Sequence, residues 1–297
     1  RGEITMKVVI TIPAYNEEKP IISVIKEINS VMSQTNYNYK IQVLDDGSKD
    51  NTAELARKAG AIVVSNPRNL GLAETFQREL ENCIKLKADI IVHTDADGQY
   101  PPEYIPKLIK KIEEGYDLVL GSRFRGKIEG MPLAKKLGNK AFSRAISSLI
   151  RQKITDSTTG FRAFTKNLAS KIEFINTFTY TQEQIIKAAY QNFRIIEIPI
   201  ETRKTRESRL FKSSFEYAVK AWINILRIYR DYDPLKFFGF IGFGFLSLGI
   251  LIGAYLTFLH FTTGIVGHLG LMILMLLLVI NGIQIILFGF FADMKKK

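Results

Sequence analysis

The stretch His93–Glu103, HTDADGQYPPE, sets Asp95 and Asp97 one residue apart and follows them with Gln99 and a double proline. It comes straight after the apolar run ADIIV, so the two carboxylates sit on a turn just past a buried strand. A hard divalent cation takes oxygen ligands, and one bound to a phosphorylated substrate needs only one or two carboxylates from the protein. The carboxylates can hold the cation, the carbonyl oxygen of Gln99 can join them, and the cation can hold a diphosphate. The cation then neutralises charge developing on a phosphate leaving group. An Asp-x-Asp turn can also be a solvated cap on the next helix, but the polar strand ends around this one favour the metal.

Those other strand ends carry the remaining candidates. Asp45-Asp46-Gly47-Ser48 closes a second apolar run. Asp46 there can accept hydrogen bonds from a base or ribose, or the segment can cap a helix. Pro13, Tyr15 and Glu17 form the first strand-to-helix turn, where Tyr15 can stack on a base or pack on the sheet. Arg123, in GSRF, can pair its guanidinium with phosphate oxygens or form a surface salt bridge. The segment TDSTTGFRAF, Thr155–Phe164, can line an acceptor pocket through Asp156, Thr159 and Arg162, or turn into a strand. Arg203, Lys204, Arg206 and Arg209 form a basic cluster that is either solvated or built to hold phosphate.

Alternating strands and helices must position these groups. MKVVITIP reads as a strand ending at Pro13, and residues 17–31 have helical spacing. KIQVLDD is a second strand, KDNTAELARKAG a short helix closed by Gly60, and AIVVS a third strand. LGLAETFQRELENCIKLK is a helix and ADIIVHTD a fourth strand. PPEYIPKLIKKIEEG is a helix entered through proline, which suits a first turn, and YDLVLGS is a fifth strand. This alternation predicts βαβ units and a parallel sheet with both faces covered. Ligands of such sheets bind at the strand C-termini, where the polar residues collect. Neither a GxGxxG after the first strand nor a GxxxxGK[ST] is present, which speaks against a dinucleotide-dehydrogenase site and a P-loop.

The chain has 297 residues and a formal charge of +12, yet no Lys, Arg, Asp or Glu lies between Phe237 and Ala292. Two apolar runs, about 237–259 and 269–291, are each long enough to cross a hydrocarbon core of roughly 20 helical residues. Arg227, Arg230 and Lys236 precede them and DMKKK follows, so both ends are expected in the cytoplasm and the linker outside. Without an apolar signal segment at its start, the soluble part is expected to stay cytoplasmic. A single cysteine, Cys83, fits a reducing compartment. The segment LFKSSFEYAVKAWINILRIYRDYDP has apolar residues at helical spacing flanked by basic and aromatic ones. It reads as a helix lying on the membrane, or else as a core helix. Helix-turn-helix, zinc and RNP patterns are absent, so nucleic acid is not an expected partner, whereas membrane lipids and phosphate-bearing substrates fit the charge.

In order and spacing, IPAYNEE, VLDDGSKDNT, NLGLAETFQREL, TDADGQYPPE, GSRF and DSTTGFRAF resemble the family 2 glycosyltransferases. DADGQYPPE, the basic segment and the terminal hairpin look most like the polyprenol-phosphate branch, of the dolichol-phosphate mannose synthase type. The resemblance implies an α/β GT-A fold that binds a nucleotide sugar, over residues 1–210. An amphipathic interface helix over 211–234 and a transmembrane hairpin over 235–297, with a cytoplasmic tail, complete the chain. It implies nucleotide contacts at Pro13, Tyr15, Glu17 and Asp46, and a donor-diphosphate site at Asp95, Ala96 and Asp97, with Asp97 and Gln99 as ligands of Mg²⁺ or Mn²⁺. Arg123 would contact a donor or acceptor phosphate, and Arg203, Ser208 and Arg209 the lipid phosphate. Asp97, Arg123, Arg203 and Arg209 would be the catalytic groups. Relatives often read Arg-x-x-Gly-x-Ser-Lys in that basic segment, whereas here Arg206 stands at the glycine and Arg209 at the lysine.

The implied reaction is inverting transfer of a hexose, mannose before glucose, from GDP-mannose or UDP-glucose to a polyprenyl or dolichyl phosphate. Homo-oligomers occur among such enzymes. Three rivals are a processive polysaccharide synthase, a transferase to a different lipid or glycan acceptor, and a non-catalytic membrane protein of the same fold. The first needs a Gln-x-x-Arg-Trp motif, and the single tryptophan, Trp222, stands in VKAWIN. The intact Asp95-Ala96-Asp97, Gln99 and Arg123 speak against the last.

Overall fold

The computed structural model describes residues 6–126, 128, 131–172, 180–203, 214–264 and 268–294. The chain divides into two compact units, 1–218 and 219–297.

The first unit opens with β1 (Lys7–Ala14), α1 (Ile21–Met32), β2 (Asn38–Asp45), α2 (Thr52–Lys58) and β3 (Ile62–Ser65). It continues with α3 (Leu72–Lys85), β4 (Ile90–His93), α4 (Ile105–Glu113), β5 (Leu118–Ser122) and α5 (Leu133–Ile150). β6 (Arg162–Thr165), α6 (Lys166–Lys171), α7 (Tyr180–Tyr190) and β7 (Ile195–Pro199) complete the sheet, and α8 (Ser214–Tyr232) crosses the division. The expected strands and helices up to β5 are all present. The helix expected over 17–31 begins later, at Ile21, because residues 16–18 are held as a turn. Asn16 takes a left-handed φ of 55°, which asparagine tolerates, and its backbone N–H donates to Ser48 Oγ at 2.9 Å.

The seven strands lie in the order β3-β2-β1-β4-β6-β5-β7. The expected all-parallel sheet is corrected at one strand, since β6 runs antiparallel to both β4 and β5. The reason is where the chain returns. Ser122 and Arg123 at the end of β5 bond to Thr155 and Asp156, so the excursion through α5 comes back to the sheet edge it left. The next strand starts at that edge, with Arg162 paired to His93, and has to run backwards.

Alternation along β1 sorts the two faces. Val8, Ile10 and Ile12 join Ile21, Ile25, Ile28, Leu108 and Ile109 in the core under α1 and α4. Thr11 faces α3, whose Phe76 packs edge-on against Phe164 and beside Tyr180 of α7.

In the second unit, α9 (Pro234–Thr263) and α10 (Leu269–Met294) pack against each other. Both are long and apolar enough to span a bilayer. They meet through glycine: a Cβ on Gly242 would lie 2.7 Å from the Gly282 carbonyl oxygen. Their outward faces are apolar and open, with Phe240 83% and Phe261 82% exposed. On α8 the stripe Val219, Trp222, Ile223 and Leu226 is also exposed.

Candidate functional site

The C-terminal ends of β1, β2, β4 and β5 gather at one edge of the sheet, with Ala14 level with Asp45 and Thr11 with His93. The first two turns are tied together. Lys49 N–H donates to Asn16 Oδ1 at 2.8 Å, and Glu17 N–H to Thr52 Oγ1 at 2.8 Å. These bonds set the Pro13–Glu17 turn beside Asp46, with Tyr15 exposed at the rim and Glu17 buried. The Asp46 carboxylate is turned inward. Asn66 Nδ2 donates to Oδ1 at 2.7 Å, Leu70 N–H to Oδ1 at 2.9 Å and Gly71 N–H to Oδ2 at 3.0 Å. It therefore organises the 66–71 loop that leads into α3. Asp45 Oδ1 accepts from Ser48 N–H at 3.0 Å, closing its own turn.

Asp95 and Asp97 follow β4 as half-buried residues, with Ala96 buried between them. Burial, then the neighbouring Asp97 charge, pushes the Asp95 carboxyl up to about 7, against the pull of Arg123 and Arg162. Two carboxylates that cannot both ionise comfortably form a donor set suited to a cation. Asp97 Oδ1 accepts from Gln99 N–H at 3.0 Å, which orders the turn and leaves the Gln99 side chain half-buried beside it. Among the described residues no three His, Cys, Asp or Glu side chains gather as a complete metal site. Two carboxylates and an amide are what a cation shared with a diphosphate needs. The wall behind Asp95 is Gly160: a Cβ there would lie 2.8 Å from Asp95 Oδ1.

Arg123 is buried, in a bidentate pair with Asp156: Nε donates to Oδ2 at 2.7 Å and Nη2 to Oδ1 at 2.8 Å. Asp156 is held in turn by Glu197 of β7, whose Oε1 accepts from Asp156 N–H at 2.9 Å. The surface salt bridge considered for Arg123 is thus a buried one, and the guanidinium stays charged, its pKa raised by Tyr100 and Asp156 against burial. Thr159 and Arg162 do not line an open pocket. Both are fully buried, and Arg162 donates to Thr181 O at 3.0 Å, Gln184 Oε1 at 2.9 Å and Thr159 O.

Lys135, on the first turn of α5, was missed by the sequence reading. Burial and the Arg123 charge push its ammonium below the usual range, while Asp97 and Asp95 pull it back up, so all four groups share one electrostatic neighbourhood. Nothing local in AKKLG marks it. Arg203 comes to the rim through the backbone, its N–H donating to Gln99 O at 3.0 Å. Its guanidinium pairs with Glu27 at 2.6 Å and with Glu103 at 3.7 Å. Ser208 and Arg209 lie outside the described residues.

An acidic pair beside buried cationic groups, at the strand ends of a mixed sheet whose fourth and fifth strands bracket a reversed sixth, defines a GT-A glycosyltransferase. Residues 9–173 match the profile of glycosyl transferase family 2, and the chain belongs to that family. It is 37% identical over 193 residues to the dolichyl-phosphate hexose transferase of Haloferax volcanii, covering 64% of this chain and 80% of that one. It is 32% identical to the dolichol-phosphate mannosyltransferase of Pyrococcus furiosus, over 88% of this chain and 74% of that one. Its fold is similar to that of glucosyl-3-phosphoglycerate synthase from Mycobacterium tuberculosis, solved with Mn²⁺ and UDP, with a TM-score of 0.58 at 22% identity over 74% and 80% of the two chains.

Proposed function

We propose that this glycosyltransferase moves a hexose, mannose before glucose, from a nucleoside diphosphate sugar to a polyprenyl or dolichyl phosphate. Transfer occurs at the cytoplasmic face of the membrane, with inversion at the anomeric carbon. The observation that carries this reading is the acidic pair Asp95–Asp97 sharing one neighbourhood with Arg123 and Lys135. A donor diphosphate and an acceptor phosphate both need cationic partners, and the nucleotide-facing turn at Pro13–Glu17 lies at the same edge. The names of the two archaeal relatives support a lipid-phosphate acceptor, and the second supports mannose.

Asp97 and Gln99 would hold Mg²⁺ or Mn²⁺, which supplies charge neutralisation on the donor diphosphate. An acceptor phosphate monoester is already largely ionised, with a second pKa near ~6, so no strong base is required of the protein. Its oxygen attacks the anomeric carbon, the bond from that carbon to the diphosphate breaks, and the nucleoside diphosphate leaves on the opposite face. The chain's work is therefore positioning and charge stabilisation. Tyr15 and Glu17 face the nucleotide, while Asp46 holds the loop beneath it. Arg123, clamped by Asp156, and Lys135 hold phosphate oxygens at the transfer point, and Arg203, Ser208 and Arg209 hold the incoming lipid phosphate. The exposed apolar stripe of α8 lies on the membrane surface and the hairpin spans the bilayer, with both termini cytoplasmic.

The test is incubation of purified protein with a polyprenyl phosphate, Mg²⁺ or Mn²⁺, and labelled GDP-mannose, UDP-glucose or a UDP-N-acetylhexosamine. Label entering the organic phase from GDP-mannose, and lost in Asp97→Ala, is the expected result. Absence of transfer from every donor overturns the lipid-acceptor reading.

A further inference from the structure

Behind the acidic turn lies a second group of ionisable side chains that the transfer chemistry does not use. His93, the last residue of β4, and Glu79 of α3 are both completely buried, with His93 Nε2 3.4 Å from Glu79 Oε2. On its other side the imidazole Nδ1 lies 2.8 Å from the Gly160 carbonyl oxygen. Phe76 packs edge-on to the ring with centroids 5.1 Å apart, and Tyr180 closes the cage at 5.9 Å.

The protonation pattern follows from donor and acceptor arithmetic. A carbonyl oxygen only accepts, so Nδ1 has to carry a hydrogen. The ring is neutral, because burial and then the Arg162 charge hold His93 down at about 3, against the Gly160 bond that raises it. Nε2 is then a bare acceptor facing Glu79. Two acceptors at that distance repel unless the carboxyl keeps its proton. Burial raises Glu79 well above the carboxylate range, against a hydrogen bond with Thr11 and with Asp95 adding to the rise. A neutral acid beside a neutral imidazole avoids burying two charges.

The Gly160 peptide is gripped from both sides. His93 holds its carbonyl, and its own N–H donates to Tyr100 Oη at 3.3 Å, on a ring stacked with Phe161 at 5.1 Å. Its Cα forms the wall against which the Asp95 carboxylate lies. His93 thus reaches Asp95 twice, through Thr94 along the chain and through Gly160. We propose that His93 is a positioning residue of the donor site: its Nδ1–H holds the Gly160 wall against Asp95, with Glu79 on the far side of the ring. This rests on the assignment of Asp95 and Asp97 to the donor diphosphate and its cation.

The test uses the full chain in detergent and compares two variants that move one donor. His93→Asn keeps an N–H near the Nδ1 position, whereas His93→Gln places it near Nε2. Mn²⁺ affinity in the presence of GDP or UDP is followed by electron paramagnetic resonance, beside the melting temperature. His93→Asn is expected to retain most of the affinity, and His93→Gln and His93→Phe to lose about 10- to 100-fold, typical of a lost outer-shell partner. Equal losses in Asn and Gln, tracking melting temperature, overturn the proposal and leave a packing role. ¹⁵N-histidine spectra of the wild-type chain, with three histidines to assign, are expected to show His93 protonated on Nδ1. Glu79→Gln and Glu79→Leu should both keep that signal, because the Gly160 carbonyl still requires it, whereas an Nε2–H ring with a bare Nδ1 in the wild type overturns the proposal. Neither readout requires transfer, so absence of transfer by the wild-type protein counts against the proposed reaction alone.

Discussion

In the catalytic unit the polar groups are inside: Arg162, Glu79, His93 and Asp156 are fully buried while Lys and Glu cover the surface. In the hairpin the apolar groups are outside, with Phe240, Phe261 and Leu251 facing outward and glycines at the helix contact. The two regions are built for different solvents. In water, apolar burial drives folding, and that leaves room for a few paired polar groups within a large core. Between lipid tails, exposed phenylalanine carries no penalty, and close backbone approach supplies the association.

The largest expected effect breaks the polar side of that contrast. Asp156→Ala leaves the buried Arg123 guanidinium without its partner and should cost about 3–5 kcal/mol of stability, read by denaturant unfolding of the catalytic unit's signal. An unchanged midpoint would mean that water already serves Arg123. Next, Asp97→Ala should lower transfer by about 10²–10³-fold with little change in unfolding, because the residue is half-buried on a turn. Gly242→Leu addresses the apolar side. It drives a side chain into the Gly282 backbone and should cost about 1–3 kcal/mol of hairpin stability in detergent, while Mn²⁺–nucleotide affinity stays within twofold. The smallest effect on stability belongs to Arg203→Ala. Its half-exposed pair with Glu27 contributes about 0–1 kcal/mol, yet KM for the lipid phosphate should rise severalfold with KM for the donor unchanged.

The local parts of the fold were legible. Apolar runs and period-3.6 patterns marked every element from β1 to β5, and the uncharged stretch after Lys236 marked the two long apolar helices. Asp95 and Asp97 were legible as candidates because the pair directly follows an apolar run and other polar strand ends accompany it. Asp46 was legible as a candidate, but its inward turn toward residues 66–71 was not, because the loop it holds lies some twenty positions away. α5, α7 and β7 were not read, and Lys135 and Glu197 went with them. The apolar pattern of α5 is weak, broken by lysines that reach the site or solvent.

By itself the sequence determined which segments could be strands, which could lie in a bilayer, and that carboxylates and arginines would crowd the strand ends. These properties depend on neighbours within a few residues, through periodicity and run length. Tertiary structure decided the direction of β6, the pairing of Arg123 with Asp156 across 33 positions, and the meeting of Glu79, His93 and Gly160 behind Asp95. Each depends on where a chain re-enters the sheet after a long excursion. That is set by the packing of whole faces, to which any one residue contributes only a small part.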